Sequence, residues 1–278
     1  MALRFGIAVL GLFYTCFPAN LFAGPAPSTR VPHLRSAAAL VRDQSTGELL
    51  LTKRAEAAMP IASITKLMTA MVILDARLDM EKYITIQKSD KDTLRHSRSR
   101  LPVGTRLTRR EALIVALMAS ENRAAHALGR TFPGGMDALV RLMNEKARAL
   151  GLEDTSFDEP TGLSEGNVSS ARDLGRLADI ACNYPLICAY STRAKMTIQN
   201  GRRKLNFVNT NALVRNSHWE IGLSKTGYIQ DSGRCLVMQA QLAGRPILIV
   251  LLNSEGSDAR LEDANRIRQW LERSKSAI

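Results

Sequence analysis

Strand-like pattern at both ends of the chain and helical pattern in its middle limit the folds open to these 278 residues. Apolar residues recur at helical spacing through Glu111 to Ala119, Ala124 to Arg130, Asp137 to Leu150 and Arg172 to Ile180. Before them, Ala37 to Arg42 and Glu48 to Lys53 flank the turn Gln44-Ser45-Thr46-Gly47 and read as a hairpin. After them, Ala194 to Gln199 and Lys204 to Val208 flank Asn200-Gly201, a second hairpin signal. Strands follow at Ile221 to Tyr228, Arg234 to Leu242 and Pro246 to Leu252. The expected fold class is α/β: an antiparallel sheet drawn from both ends and flanked by helices, plus an all-helical lobe, with a cleft between. Asp258 to Leu271 closes the chain as a helix with Leu261, Ala264, Ile267 and Leu271 on one stripe. Its acidic start and Trp270 favour packing on the sheet over a membrane anchor.

Residues 1–23 read as a signal peptide: Arg4, the apolar run Ile7 to Phe17, and Leu21-Phe22-Ala23 as cleavage site. The run is shorter than the ~20 residues a bilayer span needs. The sequence therefore describes an exported, periplasmic chain without stable membrane insertion. Residues 24–35, with three prolines, form a flexible leader, and 36–278 one domain. The formal charge is +12. In an exported chain this points away from nucleic acid and toward an anionic cell-wall polymer. Lys88, Lys91, Arg95, Arg98, Arg100, Arg106, Arg109 and Arg110, interleaved with Asp90 and Asp92, are a solvated loop face or a wall-binding patch. A wall-binding patch requires salt-sensitive binding to isolated cell wall. Cys182, Cys188 and Cys235 remain after the leader, and a Cys182–Cys188 disulfide is open. No Cys or His spacing suits a metal, and no cofactor is expected.

Three short motifs carry chemistry. Ser63 and Lys66 lie three residues apart in Ala62 to Arg77, a run without Gly or Pro that begins just after Pro60, so they share a helix face. A neutral Lys66 can take the Ser63 proton, and burial plus a second cation at Lys225 would favour neutrality. Ser120, in Ser120-Glu121-Asn122, can relay a proton to a leaving amine, and Asn122 offers an amide to a peptide backbone. In Lys225-Thr226-Gly227 the first two side chains can hold an anionic substrate end, and Gly227 lets substrate approach the strand. Gly162-Leu163-Ser164-Glu165-Gly166 fits a nucleophile elbow in letters alone, because a loop and not a strand precedes it.

Ser-x-x-Lys, Ser-x-Asn and Lys-Thr-Gly each occur once and in the order seen in penicillin-binding proteins and class A β-lactamases. Around them, Ala62 to Thr69, Met118 to Ala125, Pro160-Thr161-Gly162-Leu163, Ser170 to Leu174 and Gly222 to Tyr228 resemble the low-molecular-mass penicillin-binding proteins, more narrowly their D-alanyl-D-alanine endopeptidase branch. The resemblance implies a β-lactamase/transpeptidase-like fold and a periplasmic serine hydrolase that cuts D-Ala to diaminopimelate cross-links of peptidoglycan. It also implies acylation by β-lactams and an oxyanion hole from the N–H groups of Ser63 and Tyr228. Catalytic residues would be Ser63, Lys66 and Ser120; substrate-binding residues Asn122, Lys225, Thr226, Gly227 and Tyr228. The Glu-x-x-Leu-Asn loop of class A β-lactamases is missing from the sequence, so bound penicillin should leave slowly. A D,D-carboxypeptidase trimming pentapeptides, a non-catalytic penicillin sensor and a wall-binding protein acting by charge are the alternatives. Recruitment by another cell-wall enzyme is left open.

Overall fold

The computed structural model describes residues 31–275; the signal-peptide segment lies outside them. In chain order the strands and helices are β1 (Ser36–Asp43), β2 (Leu49–Lys53), β3 (Met59–Pro60), a 3₁₀ turn (Ala62–Thr65), α1 (Lys66–Asp75), β4 (Tyr83–Thr85), β5 (Arg106–Thr108), α2 (Arg109–Met118), α3 (Asn122–Arg130), α4 (Gly135–Ala149), β6 (Val168–Ser169), α5 (Ala171–Ala181), α6 (Pro185–Ser191), β7 (Lys195–Asn200), β8 (Arg203–Val208), β9 (Glu220–Ile229), β10 (Gly233–Leu242), β11 (Arg245–Ser254) and α7 (Ala259–Lys275).

Five strands make one antiparallel sheet in the order β2-β1-β11-β10-β9. The two ends of the chain lie side by side, with Ser36 opposite Ser254 and Asp43 opposite Ile247. Strand β11 is apolar almost throughout because both its faces are covered. Leu248, Val250 and Leu252 point into the core shared with the helical lobe, and Ile247, Ile249 and Leu251 point toward α7. Ala264, Ile267 and Leu271 of α7 fill that second core, so the closing helix packs on the sheet as its stripe predicts. Inside the helical lobe α1 is buried from Lys66 to Ile73 and contacts α2, α4, α5 and α6. The capping box at the start of α2 forms: the Thr108 hydroxyl accepts the Glu111 N–H, and Glu111 accepts the N–H of Thr108 at 2.8 Å.

Several expectations need correction. Of the leader, residues 24–30 lie outside the described residues and its end is pinned: Leu34 is buried in the α7 core, and Asp263 accepts the N–H groups of Arg35 and Ser36. The β7–β8 turn is Gly201-Arg202, one residue later than Asn200-Gly201, because Asn200 pairs with Arg203 and Gly201 takes the left-handed conformation at φ +59°. Helix α6 has no strong periodic signal; Pro185 stands in its first turn, where the missing N–H costs nothing. Cys182 and Cys188 are free thiols, with Cys188 Sγ 3.4 Å from the Cys182 carbonyl. The eight cations between residues 88 and 110 do not form one patch. Arg109 is buried against the Asp79 carbonyl, Arg110 pairs with Glu81, and Arg95 with Asp231.

Candidate active site

The turn Ala62–Thr65 and α1 carry Ser63 and Lys66 to the place where β9 meets the helical lobe. The expected helix therefore opens as a 3₁₀ turn, with Ala62 in the left-handed region at φ +47°. Ser120, between α2 and α3, is left-handed too, at φ +56°. Such conformations cost about 1–3 kcal/mol each and persist where the surroundings impose them. Here both set the direction of a hydroxyl.

Lys66 Nζ has three neighbours: Ser63 Oγ at 2.9 Å, Asn122 Oδ1 at 2.8 Å and the Thr161 carbonyl at 2.5 Å. A neutral amine has two N–H donors and one lone pair. The two carbonyl-type oxygens can only accept, so they take both donors and leave the lone pair for the Ser63 O–H. Burial lowers the Lys66 pKa to about 8, against the pull of Glu159, Glu121 and Asp92, which favour the charged form. Lys225 is also buried, and its Nζ reaches Ser120 Oγ and the Thr226 carbonyl, both at 2.9 Å. Burial first, then Lys66 and Arg260, push its pKa well below the usual lysine value. The mutual repulsion expected to act on Lys66 thus falls on Lys225.

The remaining predicted residues sit around this pair. Asn122 donates from Nδ2 to Ser97 Oγ at 2.9 Å, which fixes its carbonyl toward Lys66. Thr226 Oγ1 lies 2.6 Å from Thr210 Oγ1. A Cβ on Gly227 would stand 2.8 Å from the Ile61 carbonyl and 3.1 Å from Ser63 N, so glycine lets β9 lie against the turn that carries Ser63. Tyr228 is 58 % exposed, its ring beneath the Arg234 guanidinium. Among the described residues no group of acidic, His and Cys side chains could hold a metal, and no helix is long and apolar enough to cross a membrane.

The model of the D-alanyl-D-alanine carboxypeptidase family, peptidase S11, matches residues 26–256. The chain belongs to the S11 family of D-alanyl-D-alanine carboxypeptidases. It is 44 % identical over 255 residues to the D-alanyl-D-alanine endopeptidase of Pseudomonas aeruginosa, covering 90 % of this chain and 82 % of that one. It is 40 % identical over 252 residues to the Escherichia coli protein of the same description, covering 90 % and 81 %. The crystal structure of the Streptomyces K15 DD-transpeptidase superimposes with a TM-score of 0.80 at 28 % identity, covering 89 % of this chain and 99 % of that one.

In this S11 peptidase the site depends on residues that motif reading did not assign. The Glu159 carboxylate accepts the N–H groups of Thr161, Gly162 and Leu163, the Thr161 hydroxyl and the Asn167 amide. It thereby aims the Thr161 carbonyl at Lys66. Gly162 has φ +79°, and a Cβ there would meet the Ala62 carbonyl at 2.0 Å. Ser164 hydrogen-bonds Asp158 in that loop, so the elbow-like pattern is a loop as expected. Arg95 donates to the Leu163 carbonyl at 2.7 Å and pairs with Asp231. Arg260 donates to the carbonyls of Gly227 and Cys235 from behind the strand. The glycine in Pro160-Thr161-Gly162 was the readable signal for the Glu159 loop; nothing local marks Ser97, Thr210 or Arg260.

Proposed function

We propose that the protein is a periplasmic serine D,D-endopeptidase that hydrolyses D-Ala–diaminopimelate cross-links of peptidoglycan through an acyl-enzyme, and that β-lactams acylate the same serine. The observation that carries the chemistry is the Lys66 amine, with two acceptors besides Ser63 Oγ and a pKa lowered to about 8. The names of the P. aeruginosa and E. coli relatives favour a cross-link as substrate.

In this reading Ser63 Oγ attacks the D-Ala carbonyl as its proton passes to Lys66 Nζ. The N–H groups of Ser63 and Tyr228 hold the oxyanion. Asn122 steadies the peptide backbone, and Lys225 and Thr226 the carboxylate beside the scissile bond, along the strand face that Gly227 keeps open. Collapse breaks the C–N bond, and the amine leaves with a proton relayed through Ser120. Water then attacks the ester with Lys66 as base and restores Ser63. Residues 1–23 would direct export, and 36–278 would form one peptidase domain. Release of bound penicillin should be slow.

Digestion of purified peptidoglycan by the mature protein and by Ser63→Ala, with the products separated by mass, tests the reading. Cross-linked dimers should fall to monomers only when Ser63 is intact. Pentapeptides losing one D-Ala while dimers persist would make it a carboxypeptidase. No Ser63-dependent product would leave a penicillin sensor.

A further inference from the structure

Two cavities open beside the reactive residues, and they differ in size and charge. One of about 240 Å³ is bordered by Asn122, Thr161 and Leu163, on the side of Lys66's partners. The other, of about 490 Å³, is lined by Ser120, Thr210, Arg98, Arg100, Phe207 and Val208. Thr210 ties its wall to Thr226, and Ser120 to Lys225. Ser120 is where the departing amine collects its proton, so the larger cavity lies on the leaving-group side.

Its size falls within the ~300–1,000 Å³ of sites that enclose drug-sized ligands, more than a single alanine requires. Arg98 and Arg100 are exposed at its rim, and among the described residues neither pairs with a carboxylate. Arg100 is held in place by donating to the Asn206 carbonyl at 2.8 Å. The one acid in the wall, Glu121, is buried and accepts from the Ser99 hydroxyl and the N–H groups of Arg100 and Arg123. From residue 180 to residue 219, the stretch that supplies Phe207, Val208 and Thr210, the sequence has no Asp or Glu. The cavity therefore offers room, two guanidinium groups without a carboxylate partner among the described residues, and little opposing charge.

We propose that this cavity is a leaving-group subsite for an extended, carboxylate-bearing peptide, and that Arg98 and Arg100 set the preference for a cross-linked stem over a single D-Ala. The proposal rests on the peptidase reading of Ser63 and specifies which leaving group that site takes. Guanidinium groups grip carboxylates through paired N–H donors, so two at the rim suit a stem peptide with several carboxylates.

The test compares wild type with Arg98→Gln/Arg100→Gln on three reactions: cleavage of a purified cross-linked muropeptide dimer, trimming of a pentapeptide, and acylation by a fluorescent penicillin. The double variant should lose about tenfold in kcat/KM on the dimer, mainly through KM, with pentapeptide trimming and acylation within about twofold. Added salt should narrow the difference between the two proteins. Binding of the intact dimer to Ser63→Ala, with and without the two substitutions, reads the same subsite without turnover and should weaken about fivefold or more. Equal losses on all three reactions, or dimer cleavage and binding unchanged, would overturn the subsite. Wild-type protein that acylates but never cleaves dimers would overturn the endopeptidase reading instead.

Discussion

Asn122 turns its carbonyl oxygen, and not its amide nitrogen, toward Lys66, 2.8 Å from Nζ. A neutral acceptor there orders the amine and favours its charged form less than a carboxylate would. In the proposed mechanism acylation requires neutral Lys66, so its rate should rise with pH through about 8 and level off above. At pH 7 about one-tenth of the amines are neutral. Asn122→Asp places a carboxylate at that oxygen and raises the Lys66 pKa. The rising limb should move to higher pH, and acylation at pH 7 should fall by about tenfold or more. Stopped-flow acylation by a fluorescent penicillin measures both; a limb that stays in place or moves down contradicts the assignment of Lys66 as base.

Lys225 is held far below the usual lysine pKa by burial and by two neighbouring cations. An anion docking beside it reverses that bias and draws a proton in. Calorimetry of Ser63→Ala with a penicillin over a series of pH values, in buffers of different ionisation enthalpy, should record net proton uptake where the free Lys225 titrates. Uptake should vanish in Ser63→Ala/Lys225→Met. Binding with no buffer dependence would mean that Lys225 does not meet the carboxylate.

Glu159 contacts no predicted catalytic side chain, yet four backbone N–H groups, of Thr161, Gly162, Leu163 and Ser164, converge on it. Glu159→Ala leaves those donors unpaired and frees the Thr161 carbonyl. Stability should drop by roughly 3 kcal/mol. Acylation should slow by about 100-fold in protein that is still folded, the usual scale for misplacing a group by 1 Å. Urea unfolding and acylation kinetics separate the two effects.

Two glycines should respond differently to alanine. Gly162→Ala sets a Cβ against a backbone carbonyl at a positive φ, and neither can yield. It should destabilise by roughly 3 kcal/mol or more. Gly227 has an ordinary strand φ, but a Cβ there would meet the Ile61 carbonyl at 2.8 Å, so β9 and the Ser63 turn must move apart. Gly227→Ala should fold with a modest fall in Tm and lose about 100-fold in acylation rate. Equal thermal stability for the two variants would count against this division.

The longer elements were legible because their periods are strong and their caps local. The strand β9 alternates, β10 and β11 are long and largely apolar runs, and Thr108 and Glu111 announce α2 within one turn. Helix α6 was hidden because seven residues span barely two turns and begin at a proline. Ser63, Lys66, Ser120, Asn122 and Lys225 could be found because each sits in a short motif. Ser97 and Thr210 act through hydrogen bonds across the fold, and Thr161 through its carbonyl, which no side-chain pattern encodes. The basic run dispersed because sequence neighbours on a loop point in different directions, and Arg109, Arg110 and Arg95 each found a separate partner.

The sheet ends at β9, and among the described residues no strand pairs with its outer side. An open edge of ten residues is ordinarily a hazard, a template on which a second molecule can add itself and start an aggregate. Here the 3₁₀ turn before α1 and helix α6 pack against that edge, and its lysine is buried at the junction. A broad partner such as another sheet is shut out, and in the proposed mechanism the edge meets a single extended peptide. The same shielding that guards the protein against polymerising along its own edge would, in that mechanism, make the edge selective for one slim strand at a time.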